Sequence, residues 1–387
     1  MEGFVSRGNV LSDVNGTFAI HEFPLAPPGP KDVIVRQELA GMCGTDHHVF
    51  KGHWPNHPFP VLLGHENVGI LHAIGSDITT DFAGRPVKVG DRVVTIATGG
   101  ACGQCYSCVV LNQPGQCMNP APALGRLATS EGLAVHVFGG GYAELVRLQA
   151  PRYVMFKTDL DPATAVMLEP ISNSIFGFER TPITLGDTVV IQGSGGIGLP
   201  AVVIAKLSGA LRIIVVGGPK GRLELARECG ADVVIDIADV PDADERIRMV
   251  LDETPRGKGA DIVVGATGIA QTVNEGIAYL RYGGQLCEIG NATDSGTIPF
   301  SPYRSLVGKR AILAGISGTG VKHYAIAQRV LEKGGFPYHK MVSHQLPLDR
   351  VADGINAMGG RYQIDGRDAI KIAIAPNGAV ESAPRSA

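Results

Sequence analysis

Two patterns of hydrophobic and polar residues divide the chain near residue 160. Before that point, short apolar runs such as residues 33–35 and 92–96 are separated by clusters of glycine and proline. Short apolar runs between turn residues are typical of β-strands, whereas helices need apolar positions every three or four residues over a longer stretch. Residues 1 to about 160 are therefore predicted to form mostly β-structure with many loops.

A helix is predicted to begin where this β-region ends. Asp161 has the short polar side chain of an N-cap, and Pro162 suits the first helical position because its missing N–H would find no partner there. The helical pattern is predicted to break at Glu169–Pro170 and then to resume. Taken alone, Glu169 fits a charge placed near a helix terminus, so its position does not by itself indicate chemistry.

From residue 188 onward, buried strands alternate with helices. Residues 188–192 form an apolar run that is followed by a glycine-rich turn and then by the apolar helix of residues 199–208. Further apolar runs, separated by helical segments, lie at 213–216, 233–236, 261–264 and 285–289. Alternation of this kind predicts a doubly wound parallel sheet of the Rossmann type.

The glycine-rich turn follows the pattern G-x-G-x-x-G. Its glycines are Gly193, Gly195 and Gly198, with Gly196 and Ile197 between them. The pattern stands between a strand and a helix, where glycines permit a tight turn and a close approach of the backbone to a pyrophosphate. The N-terminus of the following helix attracts the anion. These five residues are predicted to bind a dinucleotide.

Length and charge limit the classes of function. The chain has 387 residues, more than one hydrophobic core normally supports, so two domains are expected. A formal net charge of −3 gives no basic surface of the kind that nucleic acid requires, and a small-molecule partner is favoured. The first residues lack the apolar core of a secretory signal, and no run of eighteen apolar residues occurs. We therefore expect a cytoplasmic protein without nucleic-acid or membrane partners.

Four of the seven cysteines lie within sixteen residues of one another. They follow a C-x2-C-x2-C-x8-C pattern and are Cys102, Cys105, Cys108 and Cys117. In a large cytosolic protein such a group indicates a metal rather than disulfides. Four thiolates can close tetrahedrally around a structural zinc and so order a polar loop. An iron–sulfur cluster and free thiols are the alternatives, but nothing else in the sequence indicates electron transfer.

A second group of metal-ligand types is scattered along the chain. Cys43, His65, Glu66 and Glu169 offer the sulfur, nitrogen and oxygen atoms that a catalytic zinc takes from separate segments. Spacing alone leaves an ordinary alternative open, in which Cys43 is a small core residue and His65 a hydrogen-bonded loop histidine.

Taken together, these motifs resemble the zinc-containing medium-chain dehydrogenases, and among them the polyol and threonine dehydrogenase-like branch. The resemblance extends over essentially the whole chain, in the order catalytic half, cysteine lobe, Rossmann half and C-terminal return. It implies a mostly β, GroES-like catalytic domain at residues 1–163, a Rossmann domain at 164–308 and a return to the catalytic domain at 309–387. It also implies a homodimer or homotetramer, in line with the closed symmetry of most oligomers.

The resemblance also implies the chemistry of the site. Cys43 and His65 are expected to bind a catalytic zinc, with Glu169 in the place where alcohol dehydrogenases have a second cysteine and Glu66 at or near the metal. Thr45 is expected to take the proton of the alcohol, and His48 to pass it to solvent. The implied reaction is the reversible oxidation of a secondary alcohol or polyol to its ketone, with hydride transfer to NAD or NADP.

Two other functions remain to be weighed at this point. A zinc-independent quinone or enone reductase of the same fold would lack Cys43, His65 and the cysteine lobe, all of which are present. A non-catalytic, dinucleotide-sensing protein would tolerate loss of Thr45 or His48, and both positions are filled.

The choice between the two cofactors depends on the end of the second Rossmann strand. NAD-binding relatives have an acidic residue there, which accepts hydrogen bonds from the ribose hydroxyls. This chain has Gly217 followed by Gly218, and the cationic Lys220 and Arg222 come soon after them. Because a bare glycine leaves room for a 2′-phosphate that Arg can bind bidentately, the sequence favours NADP or the use of both cofactors.

Overall fold

The structure, a computed structural model, describes residues 3–54, 57, 59–97, 102–111, 113, 116–119, 125–127, 135–136, 140–149 and 153–380. It divides into two compact units. The first comprises Met1–Glu169, Gly318–Gly334 and Val342–Ala387, and the second comprises Pro170–Ser317 and Gly335–Met341. No helix in the described part of the chain is both long enough and apolar enough to cross a membrane.

The described residues form strands and helices in alternating groups. The strands are β1 (Phe4–Leu11), β2 (Phe18–Leu25), β3 (Val33–Gly41), β4 (Val61–Leu62), β5 (Glu66–Ile74), β6 (Arg92–Ala97), β7 (Gly125–Leu127), β8 (Val135–His136), β9 (Leu145–Leu148), β10 (Tyr153–Lys157), β11 (Thr188–Gln192), β12 (Arg212–Gly217), β13 (Val233–Asp236), β14 (Ala260–Gly265), β15 (Leu280–Glu288), β16 (Ile312–Gly315), β17 (Val342–Pro347), β18 (Gln363–Ile364), β19 (Arg367–Asp368) and β20 (Lys371–Ala375). The α-helices are α1 (Gly44–Phe50), α2 (Tyr106–Val109), α3 (Pro162–Ala165), α4 (Leu168–Arg180), α5 (Gly198–Leu207), α6 (Lys220–Glu228), α7 (Ala243–Asp252), α8 (Thr272–Tyr279), α9 (Val321–Lys333), α10 (Tyr338–Met341) and α11 (Val351–Gly359).

The first unit is mostly β-structure and contains two large sheets. One has the order β2-β1-β4-β7-β8, and the other has the order β10-β6-β5-β3-β20-β17, with β9 also paired to β3. In β3 the side chains of Val33, Ile34 and Val35 are fully buried. Burying each such side chain stabilises the fold by about 1.5–3 kcal/mol, so β3 anchors the sheet. Its antiparallel neighbours β5 and β20 meet its C-terminal end, where the candidate active site lies.

The second unit is built on one parallel sheet. Its order is β13-β12-β11-β14-β15-β16, and every neighbouring pair runs parallel. The central strand β11 is buried along its whole length, which explains why residues 188–192 are a continuous apolar run. Strand order reverses between β11 and β14, which is the switch point at which such sheets bind ligands. The predicted doubly wound fold is confirmed.

Of the two predictions for the helical region after residue 160, the helix start at Asp161 is confirmed and the break at Glu169–Pro170 is not. Asp161 is the N-cap of α3, and its Oδ1 accepts a hydrogen bond from the Thr164 amide at 3.0 Å. The predicted break at Glu169–Pro170 is wrong, because α4 runs through both residues. Pro170 lies in the first turn of α4, where no N–H partner is required, so the proline causes no interruption.

Candidate active site

The site forms where three neighbouring strands meet. Gly41, the last residue of β3, pairs with Glu66, the first residue of β5. Cys43 follows β3 directly and is the N-cap of α1, while His65 directly precedes β5. Sheet pairing therefore brings residues more than twenty positions apart together. The potential ligand atoms of Cys43, His65 and Glu66 all lie within 4.8 Å of one another.

A buried carboxylate ties these segments together. Asp46 is fully buried, and its Oδ2 accepts hydrogen bonds from the Cys43 amide at 2.9 Å and from the Tyr142 hydroxyl at 2.8 Å. Its Oδ1 accepts from the Gly64 amide at 3.3 Å and lies 3.8 Å from His65 Nδ1. Asp46 thus holds the backbone at Cys43 and at Gly64, the residue before His65, and its carboxylate lies beside the His65 ring.

The charges in this cluster favour cations. Burial alone would raise the pKa of Asp46, but the nearby His65 ring and the donors on Cys43 and Tyr142 hold that pKa below its ordinary value. Burial likewise disfavours a protonated His65, yet Asp46 and Cys43 raise the pKa of His65 well above its ordinary value. An imidazole is therefore driven toward the charged form in the interior, which indicates an excess of negative charge around it.

Lys371 makes a buried ion pair within the same cluster. Its Nζ lies 2.5 Å from the Glu66 carboxylate, and the two side chains are 4% and 0% exposed. Burial raises the pKa of Glu66 to about 7, a shift that Lys371 opposes and Glu169 reinforces. A Cβ on Gly41 would stand 2.1 Å from a Glu66 oxygen and 3.1 Å from Lys371 Cε. The absent side chain of Gly41 is therefore what lets Lys371 of β20 reach Glu66 of β5 past β3.

The donor set fits a zinc ion. Sulfur, imidazole nitrogen and carboxylate oxygen are the ligands that catalytic zinc sites use. His65 Nδ1 is buried and has no hydrogen-bond partner among the residues the structure describes, and the surplus negative charge suits a divalent cation. Glu169 is not in the close group formed by Cys43, His65 and Glu66, although its charge acts on both Glu66 and Lys371.

Thr45 and His48 both lie on α1, which starts directly after Cys43. Thr45 Oγ1 is 3.7 Å from Cys43 Sγ. His48 Nδ1 is 3.1 Å from His53 Nδ1, so one ring donates and the other accepts. Burial and the neighbouring His53 lower the pKa of His48, which keeps its ring neutral and able to accept a proton near neutral pH.

The four cysteines of the lobe also come together. Their sulfur atoms lie within 4.8 Å of one another, and the thiols form no disulfides; the residues are Cys102, Cys105, Cys108 and Cys117. Cys105 Sγ is 3.5 Å from Cys108 Sγ and 3.8 Å from Cys117 Sγ. Backbone amides point at the sulfurs, from Met118 to Cys105 at 3.4 Å and from Asn119 to Cys117 at 3.3 Å.

These amides favour thiolates. The Met118 amide lowers the pKa of Cys105 to about 6, whereas burial raises the pKa of Cys108 to about 11. Four like charges at this distance would repel one another strongly, so a cation is needed if all four are to ionise. The geometry and chemistry fit a closed tetrahedral zinc site.

The glycine-rich turn has the close contacts that glycine permits. Gly193 has a φ of +104°, and a Cβ there would lie 2.7 Å from the Ala266 carbonyl oxygen. A Cβ on Gly198, the first residue of α5, would lie 1.9 Å from the Gly193 carbonyl oxygen. Side chains are thus excluded where β11 meets α5. The N-terminus of a helix that follows such a turn attracts a phosphate group.

The end of β12 lies next to this turn. Ser194 Oγ donates to the Gly218 carbonyl oxygen and accepts from the Gly218 amide, both at 3.1 Å. A Cβ on Gly217 would stand 2.7 Å from Ser194 Oγ, so a larger residue at 217 would displace this serine. Arg222 is 9% exposed, and its Nη1 lies 3.5 Å from where a Cβ on Gly195 would be.

Sequence reasoning did not single out three residues that shape the site. Lys371 had one available signal, since it is a lone charge within the apolar run 370–374. Gly41 and Tyr142 had none, because their roles depend on contacts with residues that are distant in the chain. The close group of Cys43, His65 and Glu66 likewise depends on the pairing of β3 with β5.

Comparison with known proteins identifies the class. Residues 29–158 match the alcohol dehydrogenase GroES-like domain, and residues 196–333 match the zinc-binding dehydrogenase family. The chain belongs to the zinc-type medium-chain alcohol and polyol dehydrogenases. It is accordingly an NAD(P)-linked oxidoreductase of alcohols that uses zinc, as the sequence predicted.

Individual relatives agree over most of the chain. The chain is 33% identical over 341 residues to 5-exo-hydroxycamphor dehydrogenase of Pseudomonas putida, a match that covers 86% of this chain and 90% of that protein. It is 31% identical over 276 residues to sorbitol dehydrogenase of Halalkalibacterium halodurans, covering 71% and 74%. The crystal structure of an alcohol dehydrogenase from Thermotoga maritima matches with a TM-score of 0.86 at 30% identity, covering 97% of this chain and 100% of that one.

Proposed function

We propose that the chain interconverts a secondary alcohol or polyol and its ketone at the cluster of Cys43, His65 and Glu66. The observation that carries this proposal is the approach of these three ligand groups to within 4.8 Å of one another. Glu169 completes the candidate ligand set, and its charge already acts on Glu66. A zinc ion held by these residues would supply Lewis acidity toward an alcohol oxygen, which would make the alcohol proton easier to remove.

The side chains of α1 then move that proton. Thr45 stands next to Cys43 and is the first acceptor. His48 takes the proton onward, and His53, 3.1 Å away, links it to the exposed side of the helix. Because the pKa of His48 is lowered, its ring is free to accept a proton under the conditions in which alcohol oxidation runs.

The remaining parts of the chain are assigned to cofactor binding and to structural support. We assign the catalytic domain to residues 1–163 with the return at 309–387, and the dinucleotide-binding domain to residues 164–308. In the latter, the nucleotide-binding residues are Gly193, Gly195, Gly196, Ile197, Gly198, Gly217, Gly218 and Arg222. Cys102, Cys105, Cys108 and Cys117 would hold a structural zinc, which would order this lobe.

The sorbitol and hydroxycamphor dehydrogenases among the relatives support a secondary alcohol as substrate. We also propose a homodimer or homotetramer in the cytoplasm, where reducing conditions keep the lobe thiols available for zinc.

The test combines metal analysis with turnover. The purified protein is expected to hold about two zinc ions per chain and to reduce NAD or NADP in the presence of secondary alcohols or polyols. The screen compares secondary alcohols, polyols and hydroxy acids with both cofactors, and Cys43→Ser is the control for non-enzymatic reduction. Zinc-loaded, folded protein that oxidises none of these compounds would overturn the proposal.

A further inference from the structure

A carboxylate from the third strand of the parallel sheet lies beside the bare end of the second. Strands β12 and β13 are parallel, with Gly217 opposite Asp236. The amide of Ile237 donates to the Gly217 carbonyl oxygen at 2.9 Å. Asp236 Oδ1 accepts from the Ala238 amide at 2.9 Å, which fixes the carboxylate. A Cβ on Gly218 would stand 3.1 Å from that oxygen.

Gly218 therefore lies between two different groups. On one side is Ser194 of the glycine-rich turn, whose hydroxyl bonds both the amide and the carbonyl of Gly218 at 3.1 Å. On the other side is Asp236. The glycine-rich turn, Gly218 and the Asp236 carboxylate thus lie side by side at the carboxyl ends of β11, β12 and β13. A doubly wound sheet binds the adenosine half of a dinucleotide at this edge.

The two cations that follow Gly218 in the sequence, Lys220 and Arg222, lie near other groups. Lys220 Nζ is 3.7 Å from the carboxylate of Asp239, with both side chains well exposed. Arg222 lies against Gly195 in the glycine-rich turn. The atoms nearest to the Cβ position of Gly218 belong to Asp236 and Ile237. The charged group nearest to the Cβ position of Gly218 is therefore the Asp236 carboxylate.

We infer that Asp236 sets the cofactor preference of this chain and directs it to NAD. A carboxylate accepts hydrogen bonds from the ribose hydroxyls of NAD and repels the 2′-phosphate of NADP. Related folds place that acid at the end of the second strand. Here it comes from the third strand and reaches the end of β12 because Gly218, whose Cβ would stand 3.1 Å from Asp236 Oδ1, has no side chain. The preference expected from Gly217 alone, toward NADP, is thereby reversed.

This inference rests on the proposed function, and its test measures binding rather than turnover. Isothermal titration calorimetry on the zinc-loaded, full-length protein gives the dissociation constants of NADH and NADPH. Wild type is expected to bind NADH at least about tenfold more tightly. Asp236→Asn keeps an oxygen for the Ala238 amide but removes the charge. It is expected to weaken NADH about fivefold and to tighten NADPH, so that the ratio falls by about tenfold or more.

Asp239→Asn is the charge-matched control, because it removes the same charge three residues further along the chain and near Lys220. It is expected to change the ratio by less than about threefold, as an exposed, screened charge does. Equal effects of Asp236→Asn and Asp239→Asn would overturn the inference, and so would tighter binding of NADPH by wild type.

The ratio of the NADH and NADPH dissociation constants can be measured on the wild-type protein alone, so the inference stays testable if a substitution impairs folding. Failure of folded wild type to bind either nucleotide would contradict the proposed function itself. A preference for NADPH would contradict only the role of Asp236.

Discussion

The two candidate metal sites of the first unit are built in opposite ways. The four candidate ligands of the cysteine lobe come from the single segment 102–117, and backbone amides within that segment and directly after it point at the sulfurs. The site at Cys43 draws on residues that β-sheet pairing brings together, with Lys371 coming from more than three hundred residues away. The lobe cysteines are partly buried, as are Cys43 and His65, but the second site also contains the fully or almost fully buried carboxylates of Asp46 and Glu66.

This difference predicts that the two sites respond differently to loss of their metal. A short loop with four thiolates has little apolar surface to bury, so the cation itself must supply the free energy of ordering. The buried site is held by sheet pairing and by Asp46 and Lys371, so it is expected to keep its shape when the metal is lost. We therefore expect metal binding to stabilise the lobe and the fold to stabilise the active site.

Substituting one cysteine in each site gives the largest expected contrast. Cys43→Ser is expected to lower turnover by at least about a thousandfold while the melting temperature changes little, because the sheet still holds the site. Cys105→Ser is expected to lower the melting temperature by roughly 10 °C, because an open zinc site no longer orders the lobe. Zinc content, kcat and calorimetric melting are measured on the same preparations.

Each variant has an outcome that contradicts the comparison. A Cys105→Ser protein with wild-type melting and two zinc ions would remove the lobe assignment. A Cys43→Ser protein that melts far below wild type would show that the active-site metal, too, contributes to folding.

The Lys371–Glu66 pair tests whether the fold really supports the active site. Lys371→Met leaves the Glu66 carboxylate buried without its cation, which is expected to cost about 3–5 kcal/mol of unfolding free energy. The double variant Lys371→Met/Glu66→Gln removes the orphaned charge and is expected to recover part of the loss. Lys371→Arg is the control that keeps the charge. Denaturant unfolding of chelated protein is the measurement, since it separates the pair from the metal.

An unchanged stability of Lys371→Met would mean that Glu66 takes up a proton at little cost. In that case metal content and zinc affinity, measured by competition with a chelating dye, would show whether the carboxylate is still held at Cys43 and His65.

The same comparison explains what could be predicted from the sequence. The residues of the lobe and of the glycine-rich turn are each close together in the sequence. The spacing of the cysteines from Cys102 to Cys117, and the position of the turn between a strand and a helix, were therefore enough to predict both. Strand β11 was predicted to the residue because a strand buried on both faces is an uninterrupted apolar run. The roles of Lys371 and Asp236 depend on which residues of neighbouring strands lie opposite each other. Such register is not encoded by any local sequence pattern.

His48 tests the proton path, with an intermediate effect. His48→Ala is expected to slow alcohol oxidation by roughly a hundredfold at low pH and by less at high pH, where hydroxide and buffer bases replace it. The lowered pKa of His48 keeps wild type active to lower pH than a free imidazole would allow. The measurement is the pH dependence of kcat from about pH 6 to pH 10, and buffer-base rescue is the control. Parallel profiles for the two proteins would exclude His48 from the path.

Tyr142 tests how strongly the buried network holds Asp46. Its hydroxyl donates to Asp46 Oδ2 at 2.8 Å, and both groups are fully buried. Tyr142→Phe removes one hydrogen bond to a charged group at nearly constant volume and is expected to cost roughly 1.5–3 kcal/mol of stability. It is also expected to raise the pKa of Asp46, so that acid unfolding begins at a higher pH. A loss below about 0.5 kcal/mol would mean that the amides of Cys43 and Gly64 hold Asp46 unaided.

Asn119 gives the matched test in the lobe, with the smallest expected effect. Its side-chain Nδ2 lies 3.8 Å from Cys102 Sγ, and its backbone amide, which points at Cys117, is unaffected by substitution. Asn119 is exposed, so water replaces the lost donor. Asn119→Ala is expected to change the rate of zinc loss to a chelator by at most about twofold, as surface substitutions generally do. A tenfold faster loss would show that side chains as well as backbone amides hold the lobe sulfurs, and would make the two sites more alike than their burial indicates.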